Sequence, residues 1–143
     1  MTFDAQLRTT LQGIYAKPSA NEARAIIDVA RLAATADGKT DLSETVVLLA
    51  LTKIICEMAG LKEVPNTTAV DGKRLAEIGE TLSPQGAREL AYASAFLIMI
   101  QDLELTKEES QMASGLAEAL VIDGGRAKAL ASSMEQLVRS ARG

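Results

Sequence analysis

The sequence predicts an all-α protein, folded as a single-domain bundle of six to seven helices. Of the 143 residues, 48% are hydrophobic but only 3% are aromatic, so the core must consist of Ala, Leu, Ile, Val and Met, which suit closely packed helices. Apolar residues recur at helical spacing along the chain, and no alternating pattern indicates strands. A chain of this length and apolar content fits one core, so we expect residues 1–143 to form a single domain.

The first two helices are predicted from apolar spacing and a capping motif. A first apolar stripe has spacings of four and three and ends near the segment AKPS: Phe3, Leu7, Leu11 and Ile14. Ser19 and Glu22 have the spacing of a capping box, which predicts the start of the second helix. The Asp37–Gly38 pair predicts its end. One face of this helix carries polar residues: Arg24, Asp28, Arg31 and Thr35.

The third helix, over residues 42–61, is apolar around most of its circumference, which is typical of a helix enclosed by others. We therefore predict that it is the central helix of the bundle. Its apolar residues include Val46, Val47, Leu48, Leu49, Leu51, Ile54, Ile55 and Met58. The segment KEVPNTTAVDG is predicted to be a loop, and KRLAEIGETL after it predicts a short helix.

The last three helices are predicted from their terminal residues. Ser83 is the expected N-cap and Pro84 the expected first residue of an apolar helix that reaches Ile100. Thr106 is expected to open the next helix, and the DGG segment at 123–125 is expected to interrupt it. A final helix then presents one apolar face to the core: Ala127, Leu130, Ala131, Met134, Leu137 and Val138.

The second half of the sequence repeats the design of the first. When residues 30–55 are aligned with residues 95–120, matching acidic and capping positions coincide: Asp37 with Asp102, Asp41 with Thr106, and Glu44 with Glu109. Two helix-loop-helix units are therefore predicted, over about 20–61 and 84–122.

Charge and residue types exclude several classes of function. The chain has 15 Lys and Arg against 19 Asp and Glu, a formal charge of −4, and no basic run, so no nucleic-acid binding is expected. The absence of histidine excludes Ser-His-Asp and Cys-His catalysis and the usual zinc sites. The single cysteine, Cys56, cannot form an intrachain disulfide, and its apolar neighbours predict that it is buried.

The sequence carries no pattern of a signal peptide or a transmembrane helix. The first residues include Asp4 and lack an uninterrupted apolar block. The longest apolar run, Leu90 to Ile100, is about half the length that a bilayer crossing requires. We therefore expect a cytoplasmic protein without direct membrane insertion.

Two acidic helix starts have a structural interpretation. Asp41 with Glu44 and Thr106 with Glu109 each combine an N-cap residue with a glutamate three positions later. In this arrangement the two side chains satisfy backbone N–H groups and place negative charge at the positive end of the helix. Helix capping therefore accounts for the acidic residues without any ligand.

The alternative interpretation is a metal site. Asp37, Asp41 and Glu44 would supply oxygen ligands to a hard divalent cation such as Ca²⁺ or Mg²⁺ if the loop curls, and Asp102 and Glu109 are the weaker counterparts in the second half. The spacing differs from that of an EF-hand, which places acidic residues at alternating positions. Both interpretations stay open on the sequence.

The segments ATADGKTDLSETVVLLALTKII and AYASAFLIMIQDLELTKEESQMASGLAEAL resemble the two halves of the TerB-like domain of tellurite-resistance and stress-response proteins. The similarity covers about residues 20–122. It consists of a small-residue helix, an Asp-Gly turn and an acidic helix start. The second half departs from the pattern because Leu103 stands where the turn would have glycine.

This resemblance implies a compact helical bundle whose acidic surface binds cations or partner proteins, through Asp37, Asp41 and Glu44 and, in the second half, Asp102 and Glu109. It implies a non-enzymatic accessory or sensing module that works with other components, including membrane-associated ones. Two alternatives stay open. One is a homo-oligomeric scaffold that uses apolar residues of the segment EQLV, and the other is a metal-dependent hydrolase that uses clustered carboxylates.

Overall fold

The structure, a computed structural model of the chain, describes residues 2–34, 42–63, 72–101 and 103–142, with the backbone alone at 43, 72, 75 and 142. These residues form seven helices and no strand, which confirms the predicted all-α bundle. None of the described helices is both long and apolar enough to cross a membrane. The helices are α1 (Phe3–Ile14), α2 (Ala20–Ala34), α3 (Leu42–Met58), α4 (Gly72–Thr81), α5 (Gln85–Met99), α6 (Lys107–Ala119) and α7 (Gly124–Arg142).

Helix α5 lies at the centre of the bundle. Every residue from Leu90 to Ile100 is buried, and α5 packs against α1, α2, α3, α6 and α7. The prediction that α3 is the central helix is therefore wrong, since Leu42, Val46 and Leu49 on one side of α3 are exposed. Both helices are apolar around most of their circumference, and this pattern alone does not distinguish an enclosed helix from a peripheral one.

Helices α2 and α5 form the most extensive helix–helix interface in the described residues. Both carry small buried side chains, which allow two helices to pack closely. In α2 these are Ala23, Ala25, Ala30, Ala33 and Ala34, and in α5 they are Ala87, Ala91, Ala93, Ser94 and Ala95. The Ser94 hydroxyl is fully buried and has no hydrogen-bond partner in the described part of the chain, so Ser94 contributes here through its small size.

The positions of the helices support the predicted internal repeat. Helix α5 begins and ends 65 residues after α2 begins and ends, and α6 begins 65 residues after α3. Leu103 occupies the position that corresponds to Gly38, and its φ of 64° lies in the left-handed region that favours glycine. Helix α6, with 13 residues, is one turn shorter than α3, with 17.

The predicted capping box at the start of α2 is confirmed. The Ser19 backbone N–H donates to Glu22 Oε1 at 2.8 Å, and the Glu22 N–H donates to Ser19 Oγ at 3.1 Å. The Tyr15 hydroxyl also donates to both oxygens of this carboxylate, at 3.1 and 3.2 Å. A Cβ atom on Gly86 in α5 would lie 2.6 Å from the Tyr15 ring, so glycine there permits the close contact between the end of α1 and the start of α5.

Two other helix starts differ from the prediction. Pro84 is the N-cap residue of α5, so the helix begins at Gln85, one residue later than predicted. Gly124 and Gly125, which were predicted to interrupt a helix, are instead the first two residues of α7. Asp123 caps this helix, because its Oδ2 accepts hydrogen bonds from the backbone N–H groups of Gly125 and Arg126 at 3.0 and 3.3 Å.

Helices α3 and α6 end in the same way with different residues. After α3, the Gly60 N–H donates to the Glu57 carbonyl and the Leu61 N–H to the Cys56 carbonyl, at 3.1 and 2.9 Å, which is a Schellman motif with Gly60 at φ 73°. After α6, equivalent bonds of 3.1 and 2.8 Å run from the two residues that follow Leu120 to the carbonyls of Glu118 and Ala117. There the left-handed position is held by a valine, Val121, at φ 55°.

A buried ion pair joins α2 to α4. Asp28, expected on the polar face of α2, is fully buried, and its Oδ2 accepts hydrogen bonds from Arg74 Nη2 and Nε at 2.6 and 3.2 Å. The other oxygen of Asp28 has no partner among the described residues. Since the Arg74 side chain is only 20% exposed, this pair fixes α4 against α2.

Candidate partner-binding surface

Of the five predicted metal ligands, Asp37, Asp41 and Asp102 lie outside the described residues. Glu44 lies in the first turn of α3, where it is half-buried and already takes part in a polar or electrostatic interaction. Glu109 lies in the first turn of α6 and is only 4% exposed. Of the predicted ligands, the structure therefore describes only two glutamates, and these lie at the starts of two different helices.

Glu109 has the structural role that helix capping predicts. Its Oε1 accepts a hydrogen bond from the Thr106 N–H at 3.0 Å, and its own N–H donates to Thr106 Oγ1 at 3.1 Å. The capping box at α6 is thus confirmed. Across residues 2–34, 42–63, 72–101 and 103–142, no three acidic or cysteine side chains form a group that could hold a metal ion.

Cys56 is not a candidate nucleophile. It is only 5% exposed, as its apolar neighbours predicted. Burial raises the pKa of its thiol, and the nearby negative charge of Glu57 raises this pKa further. A raised pKa keeps the thiol protonated and unreactive near neutral pH. Glu57 itself pairs with Arg8, which joins α1 to α3 at the surface and lowers the pKa of the Glu57 carboxyl.

An apolar groove lies at the end of the bundle where α1 and α3 begin and α7 ends. We call it the α3 groove. It has a volume of about 580 Å³ and is lined by Phe3, Leu42, Val46, Val47, Gln101, Val138 and Ala141. Six of these seven side chains are apolar, so the groove offers almost no hydrogen-bonding groups and is suited to apolar side chains rather than to a polar metabolite.

One wall of the α3 groove continues into an exposed apolar ridge. Leu42, Val46 and Leu49, here called the α3 ridge, are 79%, 56% and 66% exposed, and their spacing of four and three residues places them on one side of the helix. Single exposed apolar residues are ordinary, but a contiguous apolar patch beside a groove marks an interaction site. Sequence reasoning missed this surface because it assigned α3 to the centre of the bundle.

The apolar residues of the segment EQLV do not form a separate contact face. Leu137 and Val138 are 7% and 2% exposed and pack in the core of the bundle. Val138 also borders the α3 groove from α7. Of the four large apolar side chains that are exposed in the described part of the chain, three thus lie on α3, where the sequence did not predict them.

Two further surface pockets among the described residues are lined mainly by polar side chains. One, of about 280 Å³ between α2 and α4, contains the ion-paired Arg74 and is lined by Asn21, Arg24, Arg74, Glu77 and Thr81. The other, of about 360 Å³ between α1 and α7, is lined by uncharged side chains: Gln6, Thr9, Thr10, Ser133, Gln136, Leu137 and Ser140. Neither places a nucleophile beside a base or collects several carboxylates, so neither has the arrangement of a hydrolytic site.

The α3 groove is therefore the strongest candidate site in the described part of the chain. Comparisons with protein-family models, with curated proteins and with solved structures find no match to this sequence.

Proposed function

We propose that the chain is a non-enzymatic helical accessory module that binds a protein through the α3 groove and the α3 ridge. The observation that carries this proposal is the exposure of Leu42, Val46 and Leu49 beside a groove of about 580 Å³ with six apolar lining residues. Burying such side chains against a partner removes apolar surface from water, at roughly 25 cal/mol per Å².

The shape of the surface favours a helix as its ligand. Helix-binding grooves accept side chains spaced three and four residues apart from one face of an amphipathic segment. The α3 ridge presents side chains at this spacing, and its residues Leu42 and Val46 also line the groove. Gln101 is the one polar lining residue, so recognition depends mainly on apolar contact.

The acidic segments adjoin this surface in the sequence. Asp41 directly precedes Leu42, and Asp102 directly follows Gln101. In the function proposed here, a divalent cation bound by Asp37, Asp41 and Glu44 would act on partner binding by fixing the start of α3. This link would give the module the sensing role that the resemblance to TerB-like domains implies.

Binding of a helical probe tests the proposed surface. The probe is a fluorescent amphipathic peptide of about 14 residues, roughly four helical turns, with leucines on one face and uncharged residues elsewhere. Wild-type protein should bind it, and Val46→Glu, inside the α3 groove, should weaken binding at least tenfold. Val121→Glu is the matched control, since Val121 is 68% exposed, lies in the turn after α6 and acquires the same charge.

Fluorescence anisotropy at low protein concentration gives the three dissociation constants. Circular dichroism of each variant checks that it remains folded. Equal binding by wild-type protein, Val46→Glu and Val121→Glu would show that the α3 groove is not the binding surface.

A further inference from the structure

We propose that the pocket between α2 and α4 binds a small free amino acid, whose carboxylate pairs with Arg24 and whose ammonium group pairs with Glu77. This pocket, here called the α2–α4 pocket, has a volume of about 280 Å³ and is lined by Asn21, Arg24, Arg74, Glu77 and Thr81. It shares no lining residue with the α3 groove, so this inference goes beyond the proposed function and does not depend on it.

Helices α2 and α4 run antiparallel along the pocket. Asp28 of α2 pairs with Arg74 of α4, and the pocket is also lined by Asn21 and Thr81, each seven residues from its helix's member of that pair. In a parallel arrangement, Asn21 and Thr81 would lie about 20 Å apart along the helix axes, because an α-helix rises 1.5 Å per residue. That distance is too long for one pocket of this volume, so the two residues lie together at the end away from the ion pair.

Arg24 and Glu77 therefore face each other in the middle of the pocket, but they do not pair. Arg24 is exposed and forms no ion pair with any described residue. Among the described residues, Glu77 approaches one cation, Arg74 in the preceding turn of α4, at 3.5 Å. A guanidinium and a carboxylate that face the same pocket without contact leave space for a molecule between them.

The two charges in the walls are available to a ligand. Arg74 Nε and Nη2 donate to Oδ2 of the fully buried Asp28, at 3.2 and 2.6 Å, so the charge of Arg74 is balanced from within the bundle. The contact of Glu77 with Arg74 is long, and Glu77 is 52% exposed. Exposed pairs of this kind contribute little to stability, so Glu77 can accept a cation from solvent. The pocket thus offers one positive group, Arg24, and one negative group, Glu77.

A zwitterion fits this arrangement better than a ligand of one charge. A guanidinium binds a carboxylate through two parallel hydrogen bonds, and an ammonium group donates up to three hydrogen bonds. A simple anion would be repelled by Glu77, and a simple cation by Arg24. Asn21 and Thr81 add an amide and a hydroxyl group at the end of the pocket. Since pockets for drug-sized ligands begin at about 300 Å³, the ligand must be small, as free amino acids are.

Chemical-shift titration of ¹⁵N-labelled protein by NMR tests the proposal with glycine, β-alanine and 4-aminobutyrate, in which the two charged groups are progressively further apart. At least one of them should bind with a dissociation constant below about 1 mM and shift the amide signals of Arg24 and Glu77. Analogues of that amino acid without the amine or without the carboxylate should bind at least tenfold more weakly. These are acetate and methylamine for glycine, propionate and ethylamine for β-alanine, and butyrate and propylamine for 4-aminobutyrate.

Variants of the two charged residues locate the binding. Arg24→Gln and Glu77→Gln each change an exposed side chain and should leave the fold intact, and each should weaken binding at least tenfold. Glu80→Gln is the matched control, because Glu80 is an exposed glutamate of α4 that does not line the pocket. Glu80→Gln and Val46→Glu, which alters the α3 groove, should both bind as tightly as wild-type protein.

Three results would overturn the proposal. One is the absence of binding by all three amino acids at concentrations up to about 10 mM. Another is equal binding by an amino acid and its singly charged analogues, which would show that only one of the two charges is recognised. The third is unchanged binding in Arg24→Gln and Glu77→Gln. Each of these results leaves the proposed function standing, because the helical probe tests the α3 groove separately.

Discussion

Replacement of Val121 by glycine is expected to stabilise the protein. Val121 is the left-handed residue of the Schellman motif after α6, at φ 55°, and its side chain is 68% exposed. Left-handed backbone is unfavourable for residues with a Cβ atom, and most of all for β-branched ones. Glycine adopts it without strain, as Gly60 does at φ 73° after α3.

The expected gain follows from three contributions. Relief of the left-handed conformation contributes about 1–2 kcal/mol. The greater backbone entropy of glycine in the unfolded chain opposes this by roughly 0.5–1 kcal/mol. Loss of the valine side chain costs little, because most of it already faces water. The net increase in the free energy of unfolding should therefore be about 0.5–1 kcal/mol, which corresponds to a rise in Tm of roughly 2–4 °C for a domain of this size.

Urea denaturation monitored by circular dichroism measures this change. Gly60→Ala is the matched control: a Cβ atom on Gly60 would meet no atom within 4 Å, so only the backbone conformation opposes the substitution. It should lower the free energy of unfolding by about 1 kcal/mol. If Gly60→Ala destabilises the protein as expected while Val121→Gly is neutral or destabilising, the strain assigned to Val121 is wrong.

The remaining predictions concern a buried charge, a tyrosine and the acidic segments. Arg74→Met should lower the free energy of unfolding, measured by urea denaturation, by about 3 kcal/mol because it leaves the fully buried Asp28 carboxylate without its cation. The double variant with Asp28→Leu should recover most of this loss, and no recovery would contradict the explanation. Burial raises the pKa of the Tyr15 hydroxyl, and so does the Glu22 carboxylate, which accepts a hydrogen bond from it. The contribution of the Tyr15 hydroxyl to stability is therefore present below about pH 10 and is lost as the pH rises through its folded-state pKa. Tyr15→Phe should remove this part of the alkaline loss of stability, measured as Tm against pH, and an unchanged alkaline curve would count against it. If the acidic segments bind Ca²⁺ or Mg²⁺, the ion at 100 times its Kd should raise the free energy of unfolding by about 2.7 kcal/mol, and Asp37→Ala should abolish this gain. If no ion changes the stability and Glu44→Ala costs only about 1 kcal/mol, helix capping is the sole role of these acidic residues.

The helix starts were predictable because they depend on residues close in sequence. The capping boxes of Ser19 with Glu22 and of Thr106 with Glu109 each require only four consecutive residues. The start of α7 was misplaced because glycine is typical of helix ends, whereas here Asp123 supplies the cap and the glycines follow it.

The arrangement of the helices was less predictable because it depends on distant residues. Asp28 has the spacing of a solvent-facing residue in α2, and its burial requires Arg74, which lies 46 positions further along the chain. Likewise, α3 and α5 are both apolar around most of their circumference, and only packing shows that α5 is enclosed. The sequence therefore contained the residues of the α3 groove without indicating that they meet at the surface.

The central position of α5 determines how the molecule opens. Its backbone amides from Leu90 to Ile100 can exchange with solvent only when helices on several sides have separated, so their hydrogen exchange reports on unfolding of the whole bundle. Among the described side chains of helix α4, Ile78 and the ion-paired Arg74 hold the helix in place, and its amides should open in a smaller, local event. The protein should thus release its short peripheral helix, and expose Asp28 to solvent, long before it loses the fold around α5.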